Sequence, residues 1–295
     1  MEPLIIDAHS SHVMEIGFTR DNKYLISVGM DNAIKFWKVS SWNLAGELLG
    51  HEKSVNTFTI NEDDNILITG SSDITIKIWD LEEEKEIECF QEHKQPISIV
   101  KFSPEKALFA SGSYDGIIHL WNYSSMEHLM ELKGHSSHIS NISFAPDCSH
   151  VITSGSDDFL IIWELPSGQE LKRFSPHIGE IYSINHFCNQ NKLVTTGKDK
   201  RIKIWDINNW SLIQAIELDS ENYHRATLSP DDQYLAITFD YTLQLWSLKD
   251  GKKIKELKLP PKGVYYSTFS SDMKWLAVGA ADKKIRVWNL QDLLE

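Results

Sequence analysis

A histidine, a serine or threonine and an aspartate recur together five times along this chain, the residue types with which a nucleophilic triad activates a hydroxyl. They are His9, Ser27 and Asp31; His51, Thr69 and Asp73; His93, Ser111 and Asp115; His135, Thr153 and Asp157; and His177, Thr195 and Asp199. Within every set the histidine comes 22 residues before the aspartate and the hydroxyl four before it. Catalysis needs one special constellation in a cleft, whereas five copies answer a need that every repeat shares. The spacing therefore points to structure: the aspartate accepts from the histidine, the histidine bonds the hydroxyl, and the hydroxyl bonds an indole N–H. A tryptophan six residues after each aspartate completes the sets as tetrads: Trp37, Trp79, Trp121, Trp163 and Trp205.

The elements that must position these residues are read from the same beat. Aspartate and tryptophan continue as Asp240 with Trp246 and Asp282 with Trp288, so the seven tryptophans are 42 residues apart except for 41 between Trp205 and Trp246. A period of about 40 to 45 residues with a Gly-His start and a Trp-Asp end marks four-stranded propeller blades. Short β-branched and aromatic runs such as Val151-Ile152-Thr153 and Leu160-Ile161-Ile162-Trp163 are bounded by Pro-Asp, Gly-Ser-Asp and Ser-Gly, which are hairpin turns. The fold class is all-β, a seven-bladed β-propeller of four-stranded antiparallel blades, spanning residues 1–295 as a single domain. Only Asn289 to Glu295 follow Trp288, too few for an outer strand. Residues 3–8, which match the segment Gly46 to His51, are expected to complete the seventh blade and remove an open sheet edge.

Composition bounds the function. The chain has 295 residues and a net charge of −13, which argues against binding a phosphate backbone, since that runs on clustered Lys and Arg. Neither an apolar run long enough to span a bilayer nor a basic-then-apolar leader at Met1 is visible, which implies a soluble, intracellular (cytoplasmic) protein without membrane insertion. Cys89, Cys148 and Cys188 lack metal-ligand spacing and are read as reduced and structural. No cofactor and no metal follow from the scattered histidines, and the Glu82-Glu83-Glu84 run is a solvated hairpin. Trp42 and Trp210, each five residues after a repeat tryptophan, are either a second docking patch or packing on their own hairpins.

The chain resembles the WD-repeat family over essentially its whole length. Gly-His is intact at Gly50-His51 and Gly134-His135 and loosened at Ala8-His9, Glu92-His93 and Pro176-His177; Trp-Asp stands at Trp79-Asp80 and Trp205-Asp206. Blades six and seven depart from the tetrad. Leu218 or Asp219 and Pro260 stand for histidine, and Ala236 or Ile237 and Val278 for the hydroxyl, so packing is expected to hold these two blades.

The resemblance implies a non-catalytic scaffold that docks a protein or peptide on the top face. Its three top-face positions per blade, carried over by counting from the aspartate, include His12, Met14, Met30, Asn56, Tyr114, His138, Glu180, Tyr182, Lys198, His224, Phe239 and Tyr265. Aromatic and Met anchors with one acid and one Lys suit a protein interface whose partner brings a basic or apolar anchor. Tyr114, Tyr182, Phe239 and Tyr265 with Glu180 are expected to form one group. The resemblance also admits a substrate receptor for an enzyme such as a ubiquitin ligase, although the Trp-Asp-x-Arg docking motif is absent: Leu81-Glu82 and Ile207-Asn208 follow the two Trp-Asp pairs. A small-molecule-binding propeller is the third reading. A monomeric propeller inside a larger complex is expected.

Overall fold

A computed structural model describes residues 2–104, 107–187, 190–218, 225–239, 241–260 and 263–295. Cys188, Asp219, Asn222, His224 and Asp240 lie outside the described residues. The chain opens with β1 (Leu4–Asp7) and continues as blade one, β2 (Val13–Phe18), β3 (Tyr24–Gly29), β4 (Ile34–Lys38) and β5 (Leu44–Leu48). Blade two is β6 (Val55–Ile60), β7 (Ile66–Ser71), β8 (Ile76–Asp80) and β9 (Lys85–Phe90); blade three is β10 (Ile97–Phe102), β11 (Leu108–Ser113), β12 (Ile117–Asn122) and β13 (Glu127–Lys133). Blade four is β14 (Ile139–Phe144), β15 (His150–Gly155), β16 (Leu160–Glu164) and β17 (Glu170–Phe174); blade five is β18 (Ile181–His186), β19 (Lys192–Gly197), β20 (Arg201–Asp206) and β21 (Ser211–Glu217). Blade six is β22 (Arg225–Leu228), β23 (Tyr234–Phe239), β24 (Thr242–Ser247) and β25 (Lys252–Lys258). Blade seven begins with β26 (Val264–Phe269), β27 (Trp275–Ala280) and β28 (Lys284–Asn289), and α1 (Leu290–Leu294) follows.

Each blade is a four-stranded antiparallel meander, and β1 supplies the fourth strand of blade seven. The fold is thus a seven-bladed β-propeller closed by its N-terminal strand. β1 pairs with β28 in the register Leu4↔Val287, Ile5↔Arg286, Ile6↔Ile285 and Asp7↔Lys284. Ile6 and Ala8 enter an apolar cluster with Val13, Ile16, Leu25, Trp37, Ala277, Ile285 and Val287. The residues after Trp288 form α1, whose Leu290 and Leu293 are buried with Leu259 and Val264.

The chain divides into two compact units, residues 1–56 with 222–295, and residues 57–221. In the first, Trp42 packs edge-on against Trp275, 5.3 Å away, and near Phe18 at 6.5 Å. In the second, Trp210 meets His150 and Phe174, each at 6.1 Å. Both tryptophans are half-buried and pack against rings of the preceding blade.

Local chemistry explains why the aspartate turn is so regular. The residue after the aspartate is left-handed in six blades: Asn32, Ile74, Gly116, Asp158, Lys200 and Lys283, with φ between 62° and 79°. Gly116 adopts this at no steric cost, while a β-branched residue such as Ile74 does so only where the surroundings hold it. The hold comes from the aspartate, which accepts the amide two residues on: Thr75 to Asp73 at 2.9 Å, Ile117 to Asp115 at 3.0 Å and Lys284 to Asp282 at 3.3 Å. Two residues before the aspartate the chain passes under the histidine. A Cβ on Gly197 would lie 2.4 Å from His177 Cγ, so only glycine fits there.

Candidate functional site

In blades one, three, four and five the tetrad residues form one hydrogen-bonded chain. The indole Nε1–H of Trp37, Trp121, Trp163 and Trp205 donates to Ser27, Ser111, Thr153 and Thr195, each at 2.9 Å. The histidine Nε2 lies 2.8, 2.9, 2.9 and 2.7 Å from the same oxygens. Histidine Nδ1 to carboxylate distances are 2.7, 3.0, 2.9 and 2.6 Å. An ionised carboxylate only accepts, so Nδ1 carries the proton and Nε2 accepts from the hydroxyl. The same carboxylates take the amides of Ser10, Lys94, Ser136 and Ile178. The hydroxyl is thus oriented as in a triad, but all four hydroxyl residues are completely buried and no substrate can meet them. In blade two Trp79 donates to Thr69 at 2.9 Å.

Blades six and seven, expected to be held mainly by packing, also keep polar partners of a different kind. Trp246 Nε1 donates to Gln244 Oε1 at 2.9 Å, and Gln244 Nε2 donates to Glu256. Asp282, with no histidine, is gripped by both guanidinium nitrogens of Arg286. Gln244 and Arg286 occupy the same repeat position, four after the aspartate, where Lys203 reaches Asp199 at 2.9 Å. Trp288 Nε1 is buried without a partner, because Val278 stands where the hydroxyl would be.

Burial holds His9, His135 and His177 below the usual histidine range, against the pull of their aspartates. Burial, with His93 and His128 nearby, lowers His119 to about 4, and burial beside His150 lowers His186 to about 3. Burial alone would raise Asp115, but hydrogen bonds from His93 and the amides of Ile117 and Lys94 hold it at about 2. Every one of these groups titrates lower in the folded chain than in the unfolded one. Stability from the histidines is therefore complete above pH 6.5 and lost as pH falls toward their folded values; stability from Asp115 follows below about pH 4. His119 should impose a slope that approaches about 1.4 kcal/mol per pH unit between 6.5 and about 4. Urea melts from pH 8 to 4 check this, and a flat profile between pH 7 and 5 would contradict it.

The counted blade-end positions come together in a regular way. The amide just before the aspartate donates to the carbonyl at the blade's entry in five blades: Met30 to His12, Tyr114 to Pro96, Ser156 to His138, Lys198 to Glu180 and Ala281 to Gly263, at 2.9 to 3.1 Å. In residues 57–221 these ends are joined from blade to blade. The exposed Tyr114 ring (55%) stacks on His138, with centroids 4.9 Å apart and planes at 18°. Ser156 Oγ donates to Glu180 Oε1 at 2.9 Å and lies 3.0 Å from His138 Nε2. Ser156 has one proton, given to Glu180, so His138 Nε2–H is the donor to Ser156. Lys198 is exposed, whereas Tyr182 is buried and gives the surface no aromatic anchor.

In the other unit, Tyr265 lies 5.8 Å from His12 by ring centroids, its hydroxyl 3.3 Å from His12 Nδ1. Met30 is exposed; Met14, Asn56 and Phe239 are half-buried; His224 lies outside the described residues. Of the expected aromatic group, Tyr114, Glu180 and Tyr182 belong to the second unit, residues 57–221, and Phe239 and Tyr265 to the first.

Counting missed Ile178, which is 84% exposed beside Glu180. Its signal was available: the residue after the tetrad histidine is Ser10, Glu52, Lys94 and Ser136 in the other sets and apolar only at Ile178.

Among the described residues, no group of three or more His, Cys, Asp or Glu side chains is placed to hold a metal, and no helix is long and apolar enough to cross a membrane. A search of curated proteins finds no match to the chain. The family model described as WD domain, G-beta repeat matches residues 2–38, 42–80, 84–122, 126–164, 168–206 and 251–289. The stretch left unmatched, 207–250, contains the Gln244 substitute for the tetrad hydroxyl.

Proposed function

This chain belongs to the WD-repeat family, whose propellers commonly mediate protein–protein interaction, and on that premise we propose that it is a non-catalytic intracellular scaffold. It docks a peptide or protein on the blade ends that carry the turn aspartates and supports assembly of a larger complex. The observation that carries this reading is Tyr114, exposed and braced on His138, with Glu180 tied into the same line through Ser156. An aromatic ring fixed by a neighbour loses little entropy on binding and makes a good anchor. Ile178 adds apolar surface, and the Glu180 carboxylate suits a basic side chain. The chain's negative charge favours the same kind of partner.

Affinity capture from native lysate, comparing wild type with Tyr114→Ala/Ile178→Ala, tests the proposal. Both substituted side chains are exposed, so the variant should melt like the wild type. Loss of a bound protein by about 30-fold or more, as expected for truncating a central anchor, supports docking at blades three to five. Equal recovery would move the interface elsewhere.

A further inference from the structure

His150 and His186 depart from the repeat in a way that folding does not require. His186 ends β18 where the other blades carry Phe18, Ile60, Phe102, Phe144, Leu228 and Phe269, and His150 begins β15 where they carry Tyr24, Ile66, Leu108, Lys192, Tyr234 and Trp275. Six blades thus fill the first slot with an apolar side chain. The two imidazoles face the same seam between blades four and five, with ring centroids 6.0 Å apart and planes at 56°, and Trp210 flanks His150.

Each ring is held by a serine hydroxyl at Nδ1. His186 Nδ1 is 2.6 Å from Ser143 Oγ, and His150 Nδ1 is 2.9 Å from Ser149 Oγ. Ser149 donates its proton to Asp147 Oδ1 at 2.7 Å, so it accepts from His150, which fixes the proton of that ring on Nδ1. His150 Nε2 is then a bare lone pair. It is sealed from solvent and without a hydrogen-bond partner, and so is His186 Nε2. A buried nitrogen left unpaired costs on the order of 1–3 kcal/mol. Ser143 Oγ can accept from His186 Nδ1, which leaves a lone pair on that Nε2 as well, and two such costs at adjacent sites, where phenylalanine and tyrosine serve elsewhere, indicate a ligand that takes both.

We infer that His150 and His186 seat a late first-row transition-metal ion through their Nε2 atoms. Imidazole nitrogens prefer zinc and copper ions among those available, and ring centres 6.0 Å apart suit two nitrogens each about 2 Å from a shared ion. The hydroxyls on Nδ1 are the outer partners that orient metal-binding histidines, with Ser149 backed by Asp147. Two protein ligands and no third convergent side chain among the described residues suit the low coordination number of Cu+; Zn2+ would complete its shell with water.

The repeat itself supplies test variants that should fold: His186→Phe, copying Phe144, and His150→Tyr, copying Tyr24. Metal-free wild type and both variants are titrated with Zn2+ by calorimetry and, without oxygen, with Cu+ against a chromophoric chelator, after thermal melts establish folding. The expected result is one ion per chain in the wild type, with affinity lost in both variants by more than the roughly 10- to 100-fold that an outer partner is worth. The two titrations tell Cu+ from Zn2+. Binding that is absent, not one-to-one, or equal in wild type and variants overturns the site and leaves a bridging water as the occupant.

Discussion

Asp115→Ala should destabilise the protein by about 3–5 kcal/mol, the cost of removing one member of a buried hydrogen-bonded network. The carboxylate of Asp115 accepts from His93 Nδ1 at 3.0 Å and from the amides of Lys94 and Ile117 at 3.1 and 3.0 Å. Alanine leaves three donors in a shielded place, and His93 loses the group that fixes its tautomer, so its bond to Ser111 weakens as well. Part of the loss should return in Asp115→Asn, which keeps an acceptor for the amides but sets an NH2 or a carbonyl, not a charge, against His93. Urea melts at pH 7 decide the matter. A loss under about 1 kcal/mol for the alanine variant would mean that the turn holds itself without the network.

Removing residues 1–7 should lower Tm by about 10 °C. The deletion takes away the four-residue ladder between β1 and β28 and the Lys284–Asp7 pair, and it uncovers the cluster that Ile6 closes. Burial of one isoleucine is worth about 1.5–3 kcal/mol, and each ladder hydrogen bond about 1 kcal/mol. At roughly 1.6 °C per kcal/mol for a chain of 295 residues, the sum comes to about 10 °C. The exposed ion pair adds little. A melt unchanged by the deletion would show that β28 is stable as an edge strand and that closure contributes nothing.

Much of the fold was legible because one set of contacts is repeated. The Asp–Trp beat located all seven blades, and the match of residues 3–8 to the segment before His51 located the closing strand. Where the repeat loosened, reading by analogy with the tetrad failed. It looked for a hydroxyl near Ala236 and Val278, while the polar replacements had moved to the strand carrying the tryptophan, at Gln244 and Arg286. The indole needs an acceptor and the aspartate needs a donor, and the chain meets those needs from any position whose side chain reaches. The blade ends were less legible. Counting identified residues that meet, such as Tyr114 with His138 and Ser156 with Glu180, but exposure depends on side-chain direction, and Tyr182 turns inward. Ile178 escaped because it sits outside the counted positions.

The pairing of Leu4–Asp7 with Lys284–Val287 also sets a timetable for synthesis. Asp7 leaves the ribosome long before Lys284 exists, and at about 5–20 residues per second the wait is roughly 15 to 55 s. Throughout it β1 has no strand to pair with, and Leu4, Ile5 and Ile6 form a short β-prone apolar segment. Blades one to six can form in order as they emerge, each from strands that are neighbours in the chain. The seventh cannot. The nascent protein is thus most open to capture by chaperones, or by another chain's unpaired strand, in the interval that its own last blade will end.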